Sequence, residues 1–467
     1  MSGWLLFGHA LGAGGVLAAA ALLAQRQRTY QRHIHYDPRQ DCVTRFSPAS
    51  VEAIPVRCDA DGFVLPEVKP SPSGGLLELS VRASTAGRLL DPAVDIEADG
   101  FRDSQIMERG VRGTRFLNVS RLLAAGIAPG AQVTLRGRHL SWRTDSARLH
   151  VCREAPTPSD RVLIVAAHPD DAEIAAYGLY ADAGATVATL TAGEDSDRYS
   201  GRRGLSLRLP RAMVARVRVW DSLTVPQLGG VRQEQCVNFC YPDGRLQMMR
   251  SDPARDFRDK SEEAPDFDVL RRLNSSPFVP ETAACSWDSL VRDLGHLLAK
   301  TKPTVIVAPH PWLDPNTDHA FSTLAVCEAL RSADQLDGRF YFYVNHNRRS
   351  ELWPFGSAGG GVPLLPMLAE DVVDCDGFYS HILSVSRQRE KFLALEAMHD
   401  VRDLGAPEPL PVVARLLRLK AEAGAALHGL GLPPTSFLRR AVRPDELFLT
   451  TSLTKGRALC ERVLRDS

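Results

Sequence analysis

The sequence has no charge of either sign to spare: 56 Lys and Arg stand against 56 Asp and Glu, a formal charge of zero. That balance excludes a protein that finds nucleic acid by bulk electrostatics, and leaves only a local patch for an anionic ligand. Cysteine is also scarce. Nine are scattered over 467 residues, an odd number and too sparse for a disulfide scaffold. Cys236 and Cys240 alone stand close together, and no second pair completes a zinc-finger pattern. They read as buried thiols in a reducing compartment. Apolar residues are not lacking: at 44% hydrophobic and 24% charged the chain buries a large core, which excludes intrinsic disorder. Its length exceeds the usual single-domain range, so two domains are the default.

Trp4 to Ala24 is a 21-residue stretch without a formal charge. As a helix at 1.5 Å per residue it would span roughly 31 Å, about a bilayer core. Arg26, Arg28, Arg32 and Arg39 follow it, and nothing basic but the α-amino group precedes it. This asymmetry predicts an anchor whose C-terminal flank is cytoplasmic, in a bacterial inner membrane if the source is bacterial. A cleaved signal peptide is the competing reading, but its charged n-region is missing. Residues 1–40 are thus expected to be an anchor with a basic flank. Residues 41–155 carry short apolar segments with period-two alternation between turn residues, which predicts a β-sandwich-like accessory domain. In it Trp142, Arg109 and Arg112 serve either a sugar-binding face or plain packing. Ala155-Pro156-Thr157-Pro158-Ser159 reads as a linker, and 156–467 as the catalytic domain.

There Val162 to Ala167 is a continuous apolar run, as expected of a strand buried on both faces. His168-Pro169-Asp170-Asp171-Ala172-Glu173 follows at its carboxyl end, before a helical pattern. Strands at Thr186–Leu190, Thr304–Ala308 and Arg339–Val344, with helices at Ser286–Lys300 and Asp318–Ser332, predict a Rossmann-like layered α/β sheet without GxGxxG. A second polar cluster runs from Pro309 to His319, also after a strand. One imidazole and two carboxylates within His168–Asp171 suit a hard-to-borderline cation, and three protein ligands with an open fourth position make a catalytic zinc site. Polar strand-end clusters serve equally as caps and turns, and spacing alone leaves both readings open.

VLIVAAHPDDAE resembles the signature of the PIG-L (LmbE-like) zinc-dependent de-N-acetylases, which act on N-acetylglucosamine-type sugars. The similarity extends through Thr191-Ala192-Gly193-Glu194, Tyr241-Pro242-Asp243-Gly244 and Asp314 to His319, and a helix at Lys391–His399 is like the one ending the family core. The resemblance implies zinc ligands at His168, Asp171 and His319, a general base at Asp170, and substrate contacts at Arg211 and Asp243. Glu173 is expected to support the loop or a metal-ligating histidine.

Two departures stand out. Asn316 occupies the place of a family histidine credited with oxyanion stabilisation or proton donation. An amide still donates a hydrogen bond, and His310 or Asp170 is left to move protons. The family's Arg-x-x-Glu motif, sought at Arg211, meets Val214 instead of Glu. Between Asp197 and Asp221 there are seven arginines (198, 202, 203, 208, 211, 216 and 218) and no acid, a cluster suited to a phosphate-bearing substrate, an anionic membrane surface or a solvated face. The expectation is a membrane-anchored zinc de-N-acetylase, acting on an N-acetylated amino sugar in a glycolipid, lipopolysaccharide or surface polysaccharide precursor. A zinc amidase for a small-molecule conjugate and a catalytically silent glycan-binding protein are the alternatives.

Overall fold

The structure, a computed structural model, describes residues 24–68, 72–144, 147–195, 210–258, 264–280, 284–332, 337–371, 375–399, 401 and 437–466. The expected anchor, Trp4 to Ala24, lies outside them except for its last residue. Among the described residues no helix is long and apolar enough to cross a membrane.

Helix α1 (residues 24–32) leads into nine strands: β1 (Val51–Val56), β2 (Gly62–Val64), β3 (Gly74–Ala83), β4 (Ala93–Ala98), β5 (Phe101–Ile106), β6 (Arg112–Asn118), β7 (Gln132–Arg138), β8 (Leu140–Trp142) and β9 (Ala147–Cys152). Helix α2 (Ser120–Ala124) interrupts them. They form two antiparallel sheets, β1-β9-β3-β6 with β8 beside β3, and β2-β7-β4-β5. Period-two alternation shows why. Leu77, Leu79 and Val81 of β3 enter a core shared with Val94, Ile96, Val133 and Leu135 of the second sheet. Leu76 points the other way, with Phe116 and Cys152, into the core of the following α/β layer. The five-stranded sheet is therefore buried on both faces. At the seam Asn118 Nδ2 donates to Ser380 Oγ at 3.1 Å, and Phe46 packs on Phe378 with centroids 5.1 Å apart. Gly377 is required there, because a Cβ would come within 2.7 Å of Cys152 Sγ.

The α/β part contains β10 (Val162–Ala166), α3 (Asp171–Ala183), β11 (Thr186–Thr191), α4 (Arg211–Thr224), β12 (Cys236–Tyr241), α5 (Leu246–Ser251), α6 (Phe267–Arg271), α7 (Trp287–Thr301), β13 (Val305–Pro309) and α8 (Thr317–Ser332). It ends with β14 (Arg339–Tyr343), β15 (Gly377–Ile382), α9 (Val385–Ala397), α10 (Phe437–Ala441), β16 (Asp445–Ser452) and α11 (Leu453–Asp466). One seven-stranded sheet results, in the order β12-β11-β10-β13-β14-β16-β15. Its first five strands are parallel, whereas β16 runs antiparallel to β14 and β15. The antiparallel pair was not among the strands expected from sequence.

Strand order reverses at β10, which has β11 on one side and β13 on the other. At such a switch point the loops leaving the carboxyl ends diverge and open a crevice. The loops after β10 and β13, carrying the two polar clusters, therefore meet. Helix α3 starts at that crevice and breaks at Ala176 (φ −144°, ψ 23°). The amides freed by the break, Gly178 N and Leu179 N, donate to the two oxygens of Glu446 at 2.9 and 3.0 Å. Lys391 Nζ donates to Ile174 O at 3.0 Å and to Glu446 at 2.7 Å, so these two amides and this carbonyl at the break each have a partner.

Candidate metal centre

The β10 loop is set by its own side chains. Asp170 takes a positive φ of 123° at the N-cap of α3, and Asp171 Oδ2 accepts from His168 N at 2.8 Å. Asp171 and Glu173 lie in the first helical turn, where the N-terminal dipole favours negative charge. The β13 loop closes similarly: Asn316 Oδ1 accepts from Asp318 N at 2.9 Å and His319 N at 3.3 Å, capping α8.

These two loops bring His168, Asp171 and His319 together, with one ligand atom of each within 4.8 Å of the others. His319 is wholly buried. Its Nδ1 lies 2.8 Å from Asp314 Oδ2, a bond that fixes the ring and, with the proton on Nδ1, leaves Nε2 as a lone pair. Nε2 is 3.1 Å from Asp171 Oδ2 yet has no hydrogen-bond partner. A buried lone pair facing a carboxylate oxygen is repulsive unless a proton or a metal cation lies between them. The donor set of two imidazoles and one carboxylate fits zinc. Asp314 also accepts from Asn345 N and His346 N, both at 3.1 Å, while Asn345 Nδ2 donates to Asp171 Oδ1 at 2.9 Å.

Electrostatics follow from this crowding. Burial opposes charge on His319, but Asp171 and Asp314 outweigh it and raise the imidazole to about 10. Burial likewise opposes His168, and hydrogen bonds with Asp171, Asp243 and Asp318 raise it well above the usual histidine range. A metal-free centre thus holds protons where a cation would sit, and metal binding must release them. His168 Nε2 lies 3.1 Å from Asp243 Oδ1 and 3.5 Å from Asp318 Oδ2, a second grouping with ligand atoms within the same span. Burial would raise Asp243, but His168 and Arg218 hold it at about 2. Burial pushes Glu173 up to about 8, where Tyr180 OH donates to it at 3.2 Å.

Asp170 is buried beside Arg218, whose Nη2 donates to Pro169 O at 2.7 Å and lies 3.5 Å from Asp170 Oδ2. Arg218 Nη1 donates to Gly193 O at 2.8 Å. Sequence reading singled out Arg211 and not Arg218. Arg211 instead faces Asp195 at 2.8 Å and Glu194 at 3.5 Å. Arg218 stands among neighbouring arginines, with Asp221 three residues on. Asp221 is occupied too, accepting from His399 N at 2.9 Å with His399 Nδ1 at 2.7 Å. Arg198, Arg202, Arg203 and Arg208 lie outside the described residues.

His310 sits elsewhere in character. Its ring is fully buried, packs on Phe342 with centroids 5.2 Å apart, and accepts from Trp312 N and Leu313 N at Nδ1. Burial lowers it to about 3, so it is neutral and unsuited to acid catalysis. Arg109 is no sugar-binding side chain either: it is buried under the Tyr30 ring, 4.4 Å from its centroid, and paired with Asp91 at 2.6 Å. Cys236 and Cys240 are buried in β12. Asn345 and His346 at the end of β14 were also missed, though a polar triplet after a third adjacent strand end could have flagged them.

Residues 163–330 match a family model, PIG-L, described as GlcNAc-PI de-N-acetylase. No curated protein matches the chain. Among solved structures, a deacetylase of an antimicrobial pseudoaglycone is 14% identical, with a TM-score of 0.33 and coverage of 63% of this chain and 98% of that one. The 4-carboxy-2-hydroxymuconate hydratase of Pseudomonas putida is 17% identical, with a TM-score of 0.33 and coverage of 62% and 95%. The zinc-inhibited form of a teicoplanin deacetylase is 16% identical, with a TM-score of 0.32 and coverage of 62% and 98%.

Proposed function

Because residues 163–330 match the PIG-L family, we propose that this chain is a zinc-dependent de-N-acetylase for an N-acetylated amino sugar. The observation that carries the reading is the convergence of buried His319 with His168 and Asp171, one ligand atom of each within 4.8 Å of the others. His168, Asp171 and His319 would hold a zinc ion, which would polarise the acetamide carbonyl and acidify a water.

The remaining work falls to the chain. Asp170 takes the proton of the attacking water as a C–O bond forms to the carbonyl carbon. It returns that proton to the amine as the C–N bond breaks, giving acetate and a free amino sugar. Arg218 and the positive φ of Asp170 aim the carboxylate. Asp171 is committed to the cation, and Asp314 holds His319 in its ligating tautomer. Asn316 spends its amide oxygen on the α8 cap, so only its NH2 is left to donate to a developing oxyanion. With His310 neutral and buried, both proton transfers rest on Asp170. Asp243 orients His168 and borders the substrate.

A glycolipid, lipopolysaccharide or surface polysaccharide precursor is the substrate class, supported by the uncharged Trp4–Ala24 stretch and its arginine flank. The same flank is what supports a cytoplasmic side for the catalytic part. Acetate release by the full chain, with and without zinc, on N-acetylated amino sugars tests the activity. Hydrolysis that survives both Asp170→Asn and His319→Ala would sink the mechanism.

A further inference from the structure

The end of β14 closes one side of the metal centre. Asn345 N and His346 N both donate to Asp314 Oδ2 at 3.1 Å, the oxygen that also holds His319 Nδ1 at 2.8 Å. Asn345 Nδ2 reaches across to Asp171, 2.9 Å from its Oδ1 and 3.2 Å from its carbonyl oxygen. Residues 345 and 346 are thus pinned to one candidate ligand directly and to another through the carboxylate behind it. The His346 ring lies against His319, with centroids 5.3 Å apart and planes at 40°. Neither grouping of candidate ligand atoms includes it, so the ring borders the cation site without belonging to it.

Two features decide what this ring can do. Arg440 Nη1 lies 3.4 Å from His346 Nδ1. A guanidinium has no acceptor, so that hydrogen bond runs from Arg440 to the ring. With Nδ1 accepting, the imidazole proton stands on Nε2. Arg440 is itself held, since its Nη2 donates to Glu351 O at 2.9 Å. Glu351 in turn meets His33 at 2.6 Å and His35 at 3.2 Å, and its N donates to His33 O at 3.0 Å. The second feature is access. His346 is half-buried, and its Nε2, unlike those of His310 and His319, is not a sealed atom. The outer tip of a ring packed on His319 therefore offers an N–H to whatever occupies the crevice.

Amide hydrolysis builds negative charge on the carbonyl oxygen, and a donor already oriented there stabilises it without reorganisation. We propose that His346 Nε2–H donates a hydrogen bond to the oxygen of the attacked acetamide, with Arg440 as the positioning residue that keeps the proton on Nε2. This rests on the deacetylase reading for the reaction, not for the tautomer or the place of the ring. Nε2 keeps its hydrogen throughout, and Asp170 carries the one that is transferred. In the zinc-loaded full chain, His346→Phe retains packing on His319 and removes the donor. Its kcat on an N-acetylated amino sugar should fall about 10²–10³-fold, with KM and bound zinc unchanged. His346→Gln, whose amide donates, should recover part of the loss, and Arg440→Leu should lose less than His346→Phe. An unchanged kcat in His346→Phe overturns the proposal. A fall that comes with lost zinc, or that His346→Gln shares in full, marks a packing role and overturns it too.

Two readouts need no turnover. Long-range proton–nitrogen correlation spectra of the histidine-labelled full chain should place the His346 proton on Nε2, and Arg440→Leu should shift it towards Nδ1. A proton on Nδ1 in the unmodified chain overturns the proposal whatever the activity. Calorimetry then measures binding of the methylphosphonamide of glucosamine, a tetrahedral anion in place of the attacked acetamide. Its affinity for the zinc-loaded chain should fall about 10²-fold or more in His346→Phe. No binding to the unmodified chain, or equal binding in the variant, overturns the donor. The expected loss of affinity, found in a chain that releases acetate from no sugar, supports the donor and sinks the deacetylase reading alone.

Discussion

Two groups of buried charge lie on either side of the seam between the β layers and the α/β sheet, and they are built on opposite rules. In the β layers, Arg115 Nε donates to Glu108 at 2.8 Å, and its other nitrogens donate to Glu108, Thr114 O, Gln40 O and Pro38 O. One cation meets one anion, and the guanidinium hydrogens are consumed. At the end of β10 and β13, Asp171, Asp243, Asp314 and Asp318 crowd His168 and His319, and His319 Nε2 is left over. Burial of charge is common to both. An excess of anions, four carboxylates around two imidazoles, belongs to the second alone, and it separates a structural ion pair from a centre suited to a cation.

If that distinction holds, substitutions in the two groups fail in different ways. The largest effect is expected from His319→Ala: bound zinc, read by atomic absorption, falls from one equivalent towards none, acetate release is lost, and the fold persists in circular dichroism. Asp170→Asn keeps the zinc and lowers kcat by about 10²–10⁴-fold. Glu108→Ala strands a buried guanidinium and lowers unfolding free energy in urea by about 3–5 kcal/mol, while kcat per folded molecule stays unchanged. Asp314→Asn, which weakens the hold on the His319 tautomer, costs about 10–100-fold in zinc affinity; an unaltered affinity would mean that Asp314 only packs.

The smallest effect concerns the seam itself. Burial first, then Asp103, pushes Asp445 up to about 7 against the pull of Arg121. Its folded form therefore holds a proton that the unfolded chain gives up near pH 4. Its contribution is full below that value and fades as pH rises through about 7. Stability in urea should decline between about pH 4 and 7, and Asp445→Asn should flatten the decline.

Parts of this were legible in advance, for reasons that residues make plain. Val162–Ala167 announced a two-face-buried strand because no polar residue interrupts it, and the polar burst that follows could only sit at its carboxyl end. His319 entered as a candidate through the resemblance at Asp314 to His319, supported by Asp318 beside it and the cluster at His168 to Asp171. Arg218 escaped because the surrounding arginines share its chemistry, and only packing on Pro169 and Gly193 distinguishes it. Lys391 reads as a surface residue and is buried on Glu446, a contact across 55 residues that no local pattern encodes. The second burial of the five-stranded sheet was hidden too, since Leu76 and Cys152 face a layer supplied by later sequence.

The break in α3 has a consequence for how the molecule comes into being. The loop that bears His168, Asp170 and Asp171 is synthesised in the first half of the chain, but the helix behind it stays open until Glu446 is in place. A nascent chain halted before Asp445 leaves Gly178 N, Leu179 N and Lys391 Nζ without their carboxylate. Amide exchange at Gly178 and Leu179 would report that state as rapid, and its slowing would mark the arrival of the last strand. The centre is thus a late product of translation, closed by residues made nearly three hundred positions after its first ligand.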